Sequence, residues 1–561
     1  GEPGHPLLVR PATASGAGIG AGPGPRLTHR SSVSLREGEL TGSPASMMGR
    51  SRLRPACLLS TVLATIHTTT CFRASGLATG CHRCTSWRPP IKTKRKVEIL
   101  MKRFAFILLF ALAAQARAQS TVDDSVTFKI KNVKSGLVLN IPGANQTAGA
   151  TLAQSNDDGA SDKLWHFVPM GNGQYNIENM ATHQVMGVSS GSTANGALII
   201  QWADNSTKDH LWTLAQAADG SYMIKNVNSG RYLEVYQGST STSAAIDQWA
   251  ATGCVCQKWQ LVSTGASPYP MPGTVSGTGT GVHDPFMLRA AGGTYWLYGT
   301  NRSLASSTDR INFTNAGSGL TPVPSWTNTY TNGGMLWAPN VVFMNNQYYQ
   351  YYSASSDGSQ TSAIGLATAS TPNSTAWTDQ GIVVSSTPSS AFNAIDPSVL
   401  QDQSGNYWMS YGSWWNGLYM IQLDPTTGKK STSNTSTYHL AQRANGLEGS
   451  YLYYYNGYYY LFASINTCCS GVNSHYRVIV GRSTTITGPY LDRGGLNMLN
   501  GGGTIVLSAH GRIQGPGGQS LMTDNDGPLM IYHYYDANNS GKATLGINRI
   551  GFTADGWPYV Q

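Results

Sequence analysis

From residue 126 onward, apolar and aromatic side chains alternate with polar ones over four to six positions, then yield to Gly, Asn, Asp or Ser. Alternation at period two marks half-buried strands, and the breakers between them are turn formers. The strands fall into two repeat systems. Phe128-Lys129-Ile130-Lys131-Asn132, Tyr175-Asn176-Ile177-Glu178-Asn179 and Tyr222-Met223-Ile224-Lys225-Asn226 open three units. Leu164-Trp165, Leu211-Trp212 and Lys258-Trp259 close them, at a period of about 47 residues. Three such units closing on a pseudo-threefold axis predict a β-trefoil over 122–263.

A second repeat runs over 282–561. Its units start at Asp284-Pro285, Ala338-Pro339, Asp396-Pro397, Glu448-Gly449 and near Gly517-Gly518. Each opens with a short apolar strand, turns at residues such as Asn345-Asn346 or Asn456-Gly457, and continues in a Tyr-rich strand. Five small antiparallel sheets predict a five-bladed β-propeller, so the fold class is all-β, trefoil followed by propeller. Between them, 264–281 is rich in Gly, Ser, Thr and Pro and reads as a linker.

The blade heads carry the candidate chemistry. Asp284, Asp396 and Glu448 sit at the starts of three innermost strands, where side chains converge on the channel. An Asp-Pro pair alone usually caps a turn. Its recurrence at one register favours a shared site. Cleaving a glycosidic bond takes one carboxylic acid to protonate the leaving oxygen and one carboxylate to activate water or attack the sugar. A third acid tunes the donor through like-charge proximity.

Composition changes the picture in three ways. Only 12% of the 561 residues are charged, against 64 Gly and 29 Tyr, which suits turn-rich β structure. The net charge of +9 belongs to the front of the chain: residues 1–118 hold 17 of 37 Lys+Arg and 4 of 28 Asp+Glu, leaving a formal −4 beyond. A nucleic-acid partner therefore has no footing. Met101-Lys102-Arg103, the apolar run to Ala114 and Ala116-Arg117-Ala118 form a signal peptide over 101–118, with a run too short to span a bilayer. Residues 1–100 lack periodicity and read either as in-frame upstream DNA ahead of a start at Met101 or as a disordered leader. Export to an oxidising compartment follows. Past the leader lie two close cysteine pairs, Cys254/Cys256 and Cys468/Cys469, which fit no zinc site. At 468/469 a vicinal disulfide and two free thiols stay open.

Two resemblances add to this. Residues 126–262 resemble the ricin-B-like lectin fold. That family holds sugar with an acid after the second strand, an aromatic, and an Asn or Gln. The resemblance implies a competent site only in the third unit, at Glu234, Tyr236, Asp247 and Gln248. The Trp residues closing the units are expected in the core. Residues 282–561 resemble glycoside hydrolase family 43, and within it the endo-1,5-α-L-arabinanases. The motifs are His283-Asp284-Pro285, Leu336-Trp337-Ala338-Pro339-Asn340, Ile395-Asp396-Pro397-Ser398, Tyr411-Gly412-Ser413-Trp414-Trp415-Asn416-Gly417, Leu447-Glu448-Gly449-Ser450-Tyr451 and Cys468-Cys469-Ser470-Gly471.

The resemblance implies Asp284 as general base, Asp396 as pKa modulator and orienter, and Glu448 as general acid raised by burial and by Asp396. Trp337, Trp414, Trp415, Asn416 and Tyr451 would bind substrate. It implies inversion, no cofactor for the chemistry, and a possible structural calcium or sodium in the channel. Where many family members have a His for that ion, this chain reads Gly515-Pro516-Gly517-Gly518-Gln519. The nearby His510 is the candidate, near the axis or in an ordinary loop; His533 is expected further along its strand. The expected whole is a secreted monomer acting on arabinan or a related plant cell-wall polysaccharide, with no nucleic-acid or membrane partner. An exo-acting arabinofuranosidase or β-xylosidase, and a non-catalytic polysaccharide-binding protein, are the competing readings.

Overall fold

A computed structural model describes residues 122–561; the leader and signal-peptide readings lie outside them. The first half is one twelve-stranded sheet, closed where Phe128–Asn132 pairs antiparallel with Trp259–Ser263. Its threefold design is carried by three buried polar devices. The Trp165, Trp212 and Trp259 indoles are fully buried and donate to the carbonyls of Leu139, Met186 and Leu233 at 3.0–3.1 Å. Asn132, Asn179 and Asn226 donate to Cys256, Asp162 and Asp209 carbonyls at 2.8–2.9 Å, each bridging two units or two ends of one. Gln154, Gln201 and Gln248 staple a neighbouring loop, through Ser241, Thr147 and Ser192 carbonyls respectively. A buried amide or indole left without a partner costs about 1–3 kcal/mol, so these repeated residues are structural.

The second half is five four-stranded antiparallel sheets. Their innermost strands are Phe286–Arg289, Leu336–Met344, Ser398–Gln401, Leu447–Tyr455 and Ile513–Asp524. The last sheet is built wholly from the C-terminal stretch, so no strand is shared between first and last blades. The ring is closed instead by the linker segment 264–281, which packs between the first and fifth blades. Gly273 and Thr280 bond the fifth blade through Ile547 and Leu545, while Ser276 and Gly279 bond Ile311 and Phe313 of the first, all at 2.7–3.0 Å. Apolar contact continues the seam, with Val282, Met287 and Phe313 against Leu529, Ile531 and Ile547. Tyr269, from the same segment, is buried and donates to Glu178 of the trefoil.

Disulfides join Cys254 to Cys256 and Cys468 to Cys469, resolving the cysteine alternatives. No helix among the described residues is long and apolar enough to cross a membrane.

Candidate active site

The five blade heads share one backbone device. Asp284, Ala338, Asp396, Gly449 and Gly518 all have left-handed φ, between +43° and +59°. Each is followed by residues that line the same axial cavity: Pro285-Phe286, Pro339-Asn340, Pro397, Ser450-Tyr451 and Gln519-Ser520. Non-glycine residues in this region are strained and persist only where their surroundings hold them. Here the bend brings Asp284, Ala338 and Asp396 to the wall of the axial cavity.

This register corrects the sequence reading in one respect. Gly449, not Glu448, occupies the fourth head, so Glu448 lies one residue earlier, in line with His283, Trp337, Ile395 and Gly517. The left-handed Gly449 and the register shift after Glu448 break regular strand alternation at this point. The Glu448 carboxyl is met there by Ser413, whose hydroxyl donates at 2.6 Å, and by the Tyr476 hydroxyl. The Asp396 carboxyl accepts the Gly449 amide at 3.0 Å, and its own amide bonds Ser353.

Asp284 has a different environment. Its Oδ2 accepts from Thr300 at 2.7 Å and pairs with His283 Nδ1 at 2.9 Å. His283 Nε2 reaches the Tyr535 hydroxyl at 2.8 Å, and its ring stacks on His533 with centroids 3.8 Å apart. His533 Nδ1 accepts the Asp284 amide at 3.1 Å. Gly518 is the required neighbour of this group: a Cβ there would lie 2.5 Å from Asp284 Oδ1 and 2.7 Å from His533 Nδ1.

The environments separate the acids electrically. Burial would raise Asp284, yet His283, His533 and the Thr300 hydrogen bond outweigh it and hold the carboxyl well below its usual range. His283 is raised despite burial, because the Asp284 carboxylate faces it. Each favours the charged form of the other, while burial and His283 push His533 well down. Asp396 is pushed far up, by burial first and then by repulsion from Glu448 and Asp284. Glu448 is also raised, chiefly by burial, with the Ser413 and Tyr476 hydrogen bonds opposing and Asp284 adding. Asp396 and Glu448 repel each other when both are charged, so each favours the protonated form of the other.

The remaining candidates divide. Trp414 and Trp415 stand exposed at 39% and 42%, both with left-handed φ, and Asn416 is exposed beside them. Trp337 is half-buried. Tyr451 is a wall residue: its hydroxyl donates to Leu521 at 2.6 Å and its ring packs against two blade cores. In the trefoil, Glu234 and Asp247 face each other across paired strands and both are buried, while Tyr236 is exposed at 43%. Gln248 points the opposite way and is spent on the loop staple, which corrects its reading as a sugar ligand.

His510 is buried beside Tyr269 and bonds the Ser508 carbonyl; it joins no group of three ligating side chains among the described residues. His283, Asp284 and His533 do form one, within 4.8 Å, so His533 replaces His510 at the axis. Calcium takes six to eight oxygens. This set supplies one carboxylate and two imidazoles, so an ion there would draw most of its ligands from water.

His533, Tyr476, Ser413 and Thr300 were not among the sequence candidates. Only Ser413 stood inside a quoted motif. Together these features make a propeller glycoside hydrolase: a channel with one carboxyl held ionised and two held towards the protonated form. The comparisons agree. Residues 279–558 match glycosyl hydrolases family 43, and residues 115–202 and 208–278 match the ricin-type β-trefoil lectin domain-like family. The extracellular endo-alpha-(1->5)-L-arabinanase 1 of Bacillus subtilis is 42% identical over 49% of this chain and 87% of its own. A probable arabinan endo-1,5-alpha-L-arabinosidase A of Neosartorya fischeri is 39% identical over 52% and 94%. The solved GH43 endo-arabinanase from Bacillus licheniformis is 41% identical, with TM-score 0.48, over 51% of this chain and 99% of that one. The chain belongs to glycoside hydrolase family 43.

Proposed function

We propose that the protein is a secreted endo-hydrolase of α-1,5-linked arabinan that inverts the anomeric centre. The observation carrying this is the opposed charge of Asp284 and Glu448: one depressed by His283 and Thr300, the other raised by burial. Asp284 takes a proton from water as that water attacks. Glu448 gives its proton to the departing oxygen. Asp396, bonded to the amide of the residue after Glu448, orients that segment in its neutral form. Trp414, Trp415 and Asn416 offer an exposed aromatic and polar rim for successive arabinofuranosyl units. Substrate follows from the relatives named for arabinan; export follows from the signal peptide and the extracellular Bacillus relative. The trefoil's third unit, through Glu234, Asp247 and Tyr236, holds polysaccharide near the channel. No step of the chemistry runs through a metal.

Product analysis tests this on debranched arabinan, xylan and 4-nitrophenyl α-L-arabinofuranoside. Arabino-oligosaccharides of mixed length, with little release from the nitrophenyl glycoside, are expected. Arabinose alone would establish exo action, and activity confined to xylan would overturn the substrate.

A further inference from the structure

The trefoil meets the propeller through buried polar contacts, and these converge on the chain around Glu448. Arg477 and Asp204 are fully buried and pair at 3.1 Å between Nη1 and Oδ2. The other Arg477 nitrogen donates to Asn176 Oδ1 at 2.8 Å. Asp204 and Asn176 belong to the trefoil, Arg477 to the fourth blade. Two residues beyond Asp204, the Ser206 hydroxyl donates to Asn466, and the Ser206 carbonyl accepts from Asn445 at 3.1 Å. Asn466 in turn bonds the carbonyls of Gly446 and His475.

The propeller residues gripped in this way have a common property. Asn445 and Gly446 lead directly into Glu448. His475 and Arg477 flank Tyr476, whose hydroxyl donates to Glu448. The adjacent side chains go separate ways, Tyr476 to Glu448 and Arg477 to Asp204 and Asn176 of the trefoil. Loop 204–206 therefore grips side chains beside both the acid and its hydrogen-bond partner: Asn445 ahead of Glu448, Arg477 after Tyr476, and Asn466, which holds the Gly446 and His475 carbonyls.

We propose that trefoil loop 204–206 is a positioning element of the active site, with Asp204 and Ser206 setting the place of Glu448 and Tyr476. The trefoil is then part of the catalytic architecture as well as a carbohydrate-binding module. The inference rests on Glu448 being the acid. Burial alone would raise Asp204, but Arg477, Arg443 and His210 keep it ionised. Removing its charge strands buried cations, and the segment can then meet its electrostatic needs only by shifting. A shift near 1 Å at a catalytic group costs up to about a hundredfold in rate.

The test compares full-length wild type, Asp204→Asn, Asp204→Glu and Ser206→Ala on a short soluble substrate. That substrate is whichever arabino-oligosaccharide, xylo-oligosaccharide or nitrophenyl glycoside wild type cleaves fastest. A wrong substrate assignment thus leaves the comparison intact, and an active Glu448→Gln separately exposes a wrong acid. Asp204→Asn should lower kcat about tenfold with KM within about twofold. Its alkaline limb should move to higher pH, because the Tyr476 hydrogen bond that lowers Glu448 is loosened. Ser206→Ala should lose about threefold in the same pattern, and Asp204→Glu should recover part of the loss. Lower melting temperatures with kcat, KM and alkaline limb all unchanged would overturn the proposal. If Asp204→Asn does not fold, Ser206→Ala alone decides by the same criteria.

Discussion

Trefoil and propeller are both repeats, yet the repeats distribute chemistry in opposite ways. In the propeller the unit repeats a bend, and the residue at the bend varies: Asp, Ala, Asp, Gly, Gly. All five bends face one axis, so variation among units builds one asymmetric site. In the trefoil the unit repeats its buried Trp, Asn and Gln, and variation falls at positions that face apart. At the place of Glu234 the first unit has Asn140, bonded to Asp162. The second has Gly187, where a Cβ would lie 2.3 Å from the His210 ring. In the third unit Glu234 accepts from Gln257 at 2.7 Å, while Asp247 across the strand pair has no hydrogen-bond partner among the described residues. Convergence, more than the acids themselves, decides which repeat becomes an active centre.

The sharpest break of that contrast exchanges one acid in each half. Glu448→Gln should lower kcat on soluble oligomers by about 10³-fold or more, since a positioned proton donor contributes about 10²–10⁴. Glu234→Gln should leave it unchanged and lower retention on insoluble polysaccharide. Equal losses from both on soluble substrate would refute the division of roles.

Gly518→Ala asks how much of the axis depends on an absent side chain. A Cβ there collides with Asp284 Oδ1 and His533, on backbone already at φ +57°. The expected loss is about 10²-fold in kcat with little change in far-ultraviolet circular dichroism. Wild-type kcat would mean that the Asp284–His533 contact is dispensable.

Asp396→Asn tests which acid is charged. Asn has the shape of a protonated Asp. If Asp396 stays neutral while Glu448 titrates, kcat drops about tenfold but the alkaline limb of its pH profile stays in place. A limb displaced to lower pH by about one unit would show an ionised Asp396 raising Glu448 by like-charge repulsion. The acid limb should lie far below neutrality in either case, because Asp284 is depressed.

These cases also show what a sequence can and cannot disclose here. The bends were legible because Asp-Pro and Ala-Pro recur at near-regular spacing. The Trp and Asn positions of the trefoil were legible because threefold repetition is a packing demand. The off-by-one place of Glu448 was not, because pairing shifts register between Glu448 and Tyr451, and a bulge leaves no mark in composition. His533 was missed for a related reason. It sits on a second strand, opposite Gly517, and reaches the axis because Gly517 and Gly518 leave room. The interface around Arg477 was hidden because its partners lie about 270 residues away, beyond any local pattern.

The smallest expected effect sharpens the comparison on the trefoil side. Asp247 is fully buried, and neither carboxyl oxygen has a hydrogen-bond partner among the described residues. Burial, with Glu234 opposite, pushes it up to about 7. A carboxyl raised in the folded state favours folding only while protonated. Stability should therefore fall as pH climbs from the unfolded value near 4 through about 7, then level off. Asp247→Asn does not titrate, so its advantage should appear at pH 8 as a melting temperature higher by about 3 °C, and vanish at pH 4. An equal gain at both pH values would assign the effect to packing rather than charge. Were the third unit to bind sugar through this carboxyl, the same variant would hydrolyse soluble oligomers normally yet elute earlier from immobilised arabinan. Stability and retention would then move in opposite directions, as expected where an unpartnered buried acid is kept for a ligand.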